Sequence, residues 1–167
     1  MPLISIEQLD AIVFDFDGVL TDDKVYVDDA GRETVQCSRT DGIAFDILRT
    51  TRLRLFILTT EKNAVATHRA AKLKVPAVHG ISDKLEAAND LAKTHGFDLA
   101  RTLYVGNDVN DFRVMQACGF SACPADAHPR IREIAQFRLE RNGGDGVARE
   151  IVEEVLGLDP VKHWRVK

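Results

Sequence analysis

The chain has 167 residues and a net charge of −4, with 45% hydrophobic and 29% charged residues, a composition typical of one ordinary globular domain. The acidic balance disfavours nucleic-acid binding, which depends on a basic surface. No apolar run approaches the ~20 residues of a membrane-spanning helix, and Met1-Pro2 begins no signal peptide. The three cysteines form no Cys-x-x-Cys pair, so neither a disulfide framework nor a zinc site is indicated. We expect a cytoplasmic protein without nucleic-acid or membrane partners, folded as a single domain over residues 1–167.

Short apolar runs alternate with helical stretches along the chain. Buried strands are predicted at residues 11–14, 53–58, 75–78 and 103–105, and a β-hairpin at 24–37 around a glycine-containing loop. Helices are predicted at residues 41–50 (with Asp41 as its cap), 61–73, 83–93, 109–117, 131–136 and 146–156. Helices that separate strands in this way imply crossover connections and a mostly parallel sheet. The predicted fold is a doubly wound, Rossmann-like α/β sheet with helices on both faces and a hairpin insertion after the first strand. The basic end of the chain, which includes Trp164, is predicted to pack or fray.

Polar side chains stand where three of the predicted strands end. Asp15 and Asp17 follow the first strand, Thr59-Thr60 follows the second, and the segment 106–111 (Gly-Asn-Asp-Val-Asn-Asp) follows a later one. Ligands of open α/β sheets bind beyond the carboxyl ends of the strands. Several carboxylates around one crevice repel each other unless a cation joins them, and a few oxygen ligands suit Mg²⁺, which usually bridges to a substrate phosphate. The pattern therefore predicts a magnesium site at these strand ends, and a phosphate ester is a substrate that would suit it.

The residues at these strand ends have the chemistry for phosphate-ester hydrolysis. Asp15 is predicted to attack phosphorus and form an aspartyl-phosphate, and Asp17 to act as general acid and then general base. Lys84 and the Thr59 hydroxyl are predicted to bind the phosphate oxygens. Each residue alone also has a structural explanation, as a turn, a helix cap or a solvated lysine. Their occurrence in order, each at a strand end or helix start, favours the catalytic interpretation.

The same residues resemble the motifs of a known family. Asp15-Phe16-Asp17-Gly18-Val19-Leu20-Thr21-Asp22 resembles the first motif of the haloacid dehalogenase superfamily, and Thr59, Lys84 and residues 106–111 resemble its second, third and fourth motifs. The resemblance extends from about residue 10 to 157. More specifically, the chain resembles the capless branch that dephosphorylates 3-deoxy-ulosonate sugar acids, since that branch has the hairpin after the first motif and a late segment like residues 142–150. It implies a Mg²⁺-dependent phosphatase and a homotetramer in which neighbouring subunits cap each site.

Two members of this branch compete for the substrate assignment. The eight-carbon 3-deoxy-D-manno-octulosonate 8-phosphate phosphatases usually have Thr-Gly-Arg at the second motif and Gly-Gly-Arg-Gly late in the chain. Here these positions are Thr59-Thr60-Glu61 and Gly143-Gly144-Asp145-Gly146, and Glu61 resembles the nine-carbon members. The resemblance implies five substrate-binding residues: Thr60, Glu61, Arg69, Lys72 and Asp41. The nine-carbon ulosonate 9-phosphates are favoured here, and the octulosonate 8-phosphate is the alternative.

One position departs from the family pattern. The fourth motif usually opens with Gly-Asp-Asp, but Asn107 stands at the first aspartate. The metal ligands implied by the resemblance are Asp15, Asp17, Asn107 and Asp108. An amide oxygen can still bind a hard cation, but one negative charge is lost, so a weakly active or inactive regulatory partner of a sugar-activating enzyme is a further alternative. A signalling receiver is disfavoured, because the middle strand ends without an aspartate at residues 58–60.

Overall fold

The computed structural model describes residues 3–163 and is built on a six-stranded sheet in which every paired strand is parallel. Its strands are β1 (Ala11–Phe14), β4 (Arg54–Leu58), β5 (Ala77–Val78), β6 (Thr102–Val105), β7 (Phe120–Cys123) and β8 (Phe137–Arg138). They lie in the order β5-β4-β1-β6-β7-β8. A separate antiparallel pair, β2 (Thr21–Val27) and β3 (Glu33–Cys37), forms the predicted hairpin. The predictions for Met1-Pro2 and Trp164 lie outside the described residues.

Helices cover both faces of the sheet. They are α1 (Arg39–Leu48), α2 (Ala64–Leu73), α3 (Lys84–His95), α4 (Phe112–Ala117), α5 (Pro129–Ile134), α6 (Val147–Glu150), which continues into a π-helical turn (Ile151–Val155), and α7 (Pro160–His163). Short 3₁₀ turns lie at Ile6–Gln8, Leu99–Arg101 and Val109–Asp111. One core layer joins the sheet to α1, α2 and α6, and the other joins it to α3, α4 and α5. The predicted α/β class is confirmed. Along residues 3–163, no helix has the length and apolar character needed to cross a membrane.

The strand β1 is an unbroken apolar run because it lies at the centre of this sheet. All four of its residues are fully buried, as expected for a parallel strand covered on both faces. It pairs with β4 on one side and β6 on the other, with Phe14 opposite Ile57 and Val105. The three strands therefore end at one edge of the sheet. The polar residues that follow each of them meet at that edge, and the hairpin rises from it.

The start of α1 differs from the prediction. Ser38, not Asp41, caps this helix, since its hydroxyl accepts a hydrogen bond from the Thr40 backbone N–H at 3.2 Å. Asp41 is the third residue of the helix, and its Oδ1 accepts from the Arg149 backbone N–H at 3.3 Å, near the start of α6. The helix predicted from residue 61 begins at Ala64 after the cap Asn63. In both cases a side chain free to accept from the backbone two residues later decides the boundary.

The strands β7 and β8, at one side of the sheet, were not predicted. The segment Phe120–Cys123 contains small and polar residues with no clear alternation, and β8 has only two residues. These strands form because β6 offers an edge to β7, and β7 then offers one to β8. Strand formation depends on such neighbours more than on intrinsic preference.

Candidate active site

Three buried charged side chains form the centre of the site. The Lys84 ammonium lies 2.7 Å from Asp15 Oδ2 and 2.6 Å from Asp111 Oδ1. The three residues are 3%, 4% and 0% exposed, respectively, so their charges are largely shielded from bulk solvent. Charged groups are buried at this depth only when they are paired and hydrogen-bonded. The cluster holds two carboxylates on one ammonium directly beyond the end of β1.

Asp111 organises this cluster through four hydrogen bonds. Its Oδ1 accepts from the Lys84 ammonium and from the Tyr104 hydroxyl, the latter at 2.8 Å. Its Oδ2 accepts from the backbone N–H groups of Asn107 at 2.9 Å and Asp108 at 3.3 Å. In the sequence Asp111 lies inside the fourth motif without a predicted role, and Tyr104 is only a residue of a predicted strand. No local pattern distinguishes a helix-start aspartate that binds a lysine from one that only caps its helix.

Burial and neighbouring charges shift the pKa values of the cluster. Burial raises the pKa of Asp15 and the charge of Asp111 raises it further, whereas the Lys84 ammonium and the hydrogen bonds from Lys84 and the Phe16 backbone favour the ionised carboxylate. Burial would lower the pKa of Lys84, but the two carboxylates outweigh that effect and hold it above its usual value. Lys84 therefore stays a cation between its partners.

Asp17 has the environment that a general acid needs. Burial raises its pKa, the nearby charges of Glu61 and Asp23 act in the same direction, and a hydrogen bond from the Thr21 hydroxyl (3.3 Å) opposes them. A carboxyl group with a raised pKa retains its proton closer to neutral pH. The positive charge of Lys84 acts in the opposite direction and lowers the pKa of Asp17, although the contacts of Lys84 are with Asp15 and Asp111.

Thr59, Thr60 and Glu61 lie beside these aspartates. Thr59 is buried at the end of β4, and its Oγ1 accepts from the Glu61 backbone N–H at 3.1 Å, which leaves the hydroxyl proton free to be donated to a ligand. Thr60 and Glu61 line a cavity of about 370 Å³ together with Asp17 and side chains of the hairpin. The structure therefore brings three predicted residues, Asp17, Thr60 and Glu61, to one cavity, and Thr59 is buried directly before Thr60 in the chain.

The other three predicted substrate-binding residues, Arg69, Lys72 and Asp41, do not line this cavity. Arg69 and Lys72 line a second cavity, of about 380 Å³, between α1 and α2, and the Arg69 guanidinium donates to the Ser38 backbone carbonyl at 2.7 Å. Asp41 is 1% exposed and caps the backbone at Arg149. The helix α2 starts beside the first cavity and carries Arg69 and Lys72 away from it. Within one chain these residues do not join Glu61.

Asn107 offers an oxygen that suits a metal ion. Its Oδ1 is buried and accepts no hydrogen bond, and its amide lies so close to Gly18 that a Cβ there would stand 1.9 Å from Nδ2. Hard cations bind carboxylate and amide oxygens, so a buried amide oxygen without a hydrogen-bond partner is suited to be one ligand of such an ion. Among residues 3–163 no three His, Cys, Asp or Glu side chains converge as a metal site. Asp108 is exposed, and its Oδ1 accepts from the Val109 backbone N–H at 2.6 Å.

Comparison with known proteins places the chain in a family. Residues 60–151 match the family model described as haloacid dehalogenase-like hydrolase. The 3-deoxy-D-manno-octulosonate 8-phosphate phosphatase of Escherichia coli K12 is 31% identical over 151 residues, which cover 90% of this chain and 80% of the relative. The chain belongs to the haloacid dehalogenase-like hydrolases. The resemblance inferred from the four motifs is thereby confirmed, and so is the prediction of a hydrolase.

Solved structures of other haloacid dehalogenase-like hydrolases share this fold. One from Streptomyces avermitilis superimposes with a TM-score of 0.88 at 43% identity, covering 90% of this chain and 87% of that one. The octulosonate 8-phosphate phosphatase of Moraxella catarrhalis, solved with magnesium, phosphate and the octulosonate, superimposes with a TM-score of 0.84 at 27% identity over 87% and 84% of the two chains. A cobalt-bound phosphatase from Haemophilus influenzae gives a TM-score of 0.83 at 28% identity over 88% and 86%.

Proposed function

We propose that this hydrolase is a Mg²⁺-dependent phosphatase that releases inorganic phosphate from a 3-deoxy-2-keto sugar acid phosphate. The observation that carries the proposal is the buried contact between Asp15 and Lys84, with Asp17 at the same sheet edge beside a cavity. A carboxylate beside a fixed ammonium has both a nucleophile and a group that neutralises the phosphate dianion. The named relatives act on the phosphate ester of such an acid.

The proposed reaction has two displacements at phosphorus. An Asp15 carboxylate oxygen forms a bond to phosphorus while the bond from phosphorus to the ester oxygen breaks, and protonated Asp17 donates its proton to the departing alkoxide. The Asp17 carboxylate then removes a proton from water, whose oxygen attacks the aspartyl-phosphate. The bond from phosphorus to Asp15 breaks, and phosphate leaves with the enzyme restored. Lys84 and the Thr59 hydroxyl bind the phosphate oxygens in both steps.

Mg²⁺ is proposed as the cofactor, held by Asp15, Asp17 and the Asn107 amide oxygen, with Asp108 as a further ligand. When bound, it supplies positive charge that offsets repulsion between carboxylates and phosphate. The unpartnered Oδ1 of Asn107 supports this assignment. Relatives that bind magnesium or cobalt support a divalent ion in general.

Two substrates are candidates for this phosphatase. The names of the relatives favour the eight-carbon octulosonate 8-phosphate, and none of them supports the nine-carbon preference expected from the second motif. One observation still favours a nine-carbon acid, because Glu61 lines the cavity beside Asp17 and can accept hydrogen bonds from sugar hydroxyls. We therefore propose the octulosonate ester as the main substrate and a nine-carbon ester as the second candidate.

Phosphate release with Mg²⁺ on the two esters tests the proposal. We expect kcat/KM to be highest for the octulosonate 8-phosphate and Asp15→Asn to abolish turnover, whereas Asp29→Asn, the same charge change on the exposed hairpin, retains it. Glu61→Gln distinguishes the substrates: if it lowers kcat/KM for the nine-carbon ester selectively, and the wild type prefers that ester, the second candidate is correct. A folded wild-type protein that releases no phosphate from either ester with ample Mg²⁺ would refute the function and favour the inactive regulatory partner.

We further propose that residues 1–167 form one capless unit that assembles as a homotetramer. The hairpin supports this, because Val25, Tyr26 and Val27 are 55%, 62% and 61% exposed on a two-stranded ribbon, and such a ribbon is marginal by itself in water. In the tetramer, Arg69 and Lys72 of one subunit would reach the site of another. Light scattering after size exclusion should give four times the chain mass. Tyr26→Asp should reduce the assembly to smaller species, and a monomeric wild type would refute this part of the proposal.

A further inference from the structure

Tyr104 connects the core of the sheet to the catalytic cluster. It lies on β6, is fully buried, and packs its ring in the core layer beneath α3 and α4. Its hydroxyl donates a 2.8 Å hydrogen bond to Asp111 Oδ1, the oxygen that also accepts from Lys84 at 2.6 Å. Lys84 in turn contacts Asp15. A rigid aromatic side chain in the core is therefore linked to the proposed nucleophile Asp15 through two intervening residues, Asp111 and Lys84.

The remaining hydrogen bonds of Asp111 leave its carboxylate little freedom. Its Oδ2 accepts from the backbone N–H groups of Asn107 and Asp108, which sets the plane of the carboxylate. A carboxylate oxygen has about two acceptor positions. Because Tyr104 occupies one position on Oδ1, the Lys84 ammonium is confined to the other, which faces Asp15.

We propose that Tyr104 is a positioning residue of the phosphatase reaction, whose hydroxyl fixes the Asp111 carboxylate so that the Lys84 ammonium faces Asp15 and the phosphate. The inference rests on the proposed function, since it assigns Lys84 to the phosphate. Without the Tyr104 hydroxyl, Lys84 is the only remaining donor to Asp111 Oδ1 and is attracted to it more strongly. The ammonium then settles toward Asp111 and away from the reacting phosphate. Charge at the phosphate is redistributed in the transition state, so this displacement affects kcat more than KM.

The variant Tyr104→Phe removes one oxygen and keeps the ring. The control is Thr94→Val, which also removes a single hydroxyl but lies at an exposed position of α3, away from the hairpin. We expect Tyr104→Phe to lower kcat about 10-fold with KM changed by less than about 2-fold, consistent with the loss of one hydrogen bond to a charged group. Thr94→Val should leave both constants unchanged.

A double-mutant cycle with Asp111→Asn tests whether Tyr104 acts through Asp111. We expect the loss caused by Tyr104→Phe to disappear in that background. If Asp111→Asn does not fold, Lys84→Met supplies the equivalent background. An equal loss with and without the partner would overturn the proposal, and so would a Tyr104→Phe variant that melts at lower temperature with unchanged kcat, because that pattern indicates a purely structural role.

A binding measurement separates this inference from the proposed function. Orthovanadate, an oxyanion that can take the five-coordinate geometry of phosphorus in the transition state, is titrated calorimetrically into the full chain with Mg²⁺, and no turnover is required. We expect its Kd to rise about fivefold in Tyr104→Phe and to stay unchanged in Thr94→Val. If the wild type hydrolyses no phosphate ester, the phosphatase assignment fails, yet a selective loss of vanadate affinity still supports the positioning role. Equal vanadate affinities in all three proteins overturn it.

Discussion

Asp41 carries a buried charge whose cost can be measured. It is 1% exposed, its Oδ2 has no hydrogen-bond partner, and the Arg149 backbone N–H donates to its Oδ1 at 3.3 Å, with the Ala148 backbone also acting on the carboxylate. Burial raises the pKa of Asp41 from 3.8 to about 6, although those backbone bonds and the nearby charges of Arg69 and Arg141 oppose the shift. At neutral pH the group must therefore ionise in an environment that disfavours the charge.

The direction of the pH effect follows from where the proton is held. The folded state keeps the Asp41 proton up to about pH 6, whereas the unfolded chain releases it near pH 3.8. Between these values the folded state binds more protons, so this group lowers stability as the pH rises and its effect is complete above about pH 7. The shift of roughly two units corresponds to about 3 kcal/mol, of which about 2 kcal/mol develops between pH 4.5 and pH 8.

The variant Asp41→Asn isolates this contribution. Urea unfolding followed by circular dichroism between pH 4.5 and pH 8 measures the free energy of unfolding of the wild type, of Asp41→Asn and of the exposed control Asp29→Asn. The advantage of Asp41→Asn over the wild type should grow by about 2 kcal/mol across this range, because only the wild type ionises at this site. Asp29→Asn should run parallel to the wild type. If the free energy of unfolding of Asp41→Asn also runs parallel to that of the wild type across this pH range, burial does not disfavour the charge of Asp41.

The same variant tests the substrate role that the family resemblance assigned to Asp41. Its contact with the α6 backbone makes it a structural cap in this fold. We therefore expect Asp41→Asn to leave KM for the sugar acid phosphate unchanged. A rise in KM of about tenfold at constant kcat would instead place Asp41 at the substrate.

Three further substitutions test the site itself. Gly18→Ala should reduce phosphate release at least about 100-fold, because its Cβ would lie 1.9 Å from the Asn107 amide. The control Gly31→Ala has a similar positive φ but nothing within 4 Å of the added Cβ. It should lower the free energy of unfolding in urea by only about 1 kcal/mol. Asn107→Asp should lower the Mg²⁺ concentration for half-maximal activity about tenfold by restoring a charge, an effect that Asn110→Asp should not reproduce; unchanged Mg²⁺ dependence would remove Asn107 from the ligand set. Lys84→Met should lower kcat about 10²–10³-fold and destabilise the fold by about 3–5 kcal/mol, because it leaves two buried carboxylates uncompensated; near-normal phosphate release would exclude Lys84 from catalysis.

Local patterns in the sequence were sufficient for the fold class and for much of the site. The apolar run 11–14, followed by Asp and Gly, is typical of a strand covered on both faces, and polar residues after it and after residue 58 are expected at one edge of a parallel sheet. Asp15, Asp17 and Thr59 were predicted from these strand ends, and Lys84 from the start of a helix. It did not find β7 and β8, because those strands exist only through pairing with β6.

Only the tertiary structure decided which side chains work together. The pairing of Tyr104 with Asp111 depends on how β6 meets the start of α4, and no spacing in the sequence reveals a hydrogen bond that closes across such a turn. The separation of Arg69 and Lys72 from Glu61 depends on the direction in which α2 leaves the sheet edge. The positions of the motif residues can be read from the sequence because they follow strand ends and turns. Partners and distances are set by packing, which joins segments far apart in the chain.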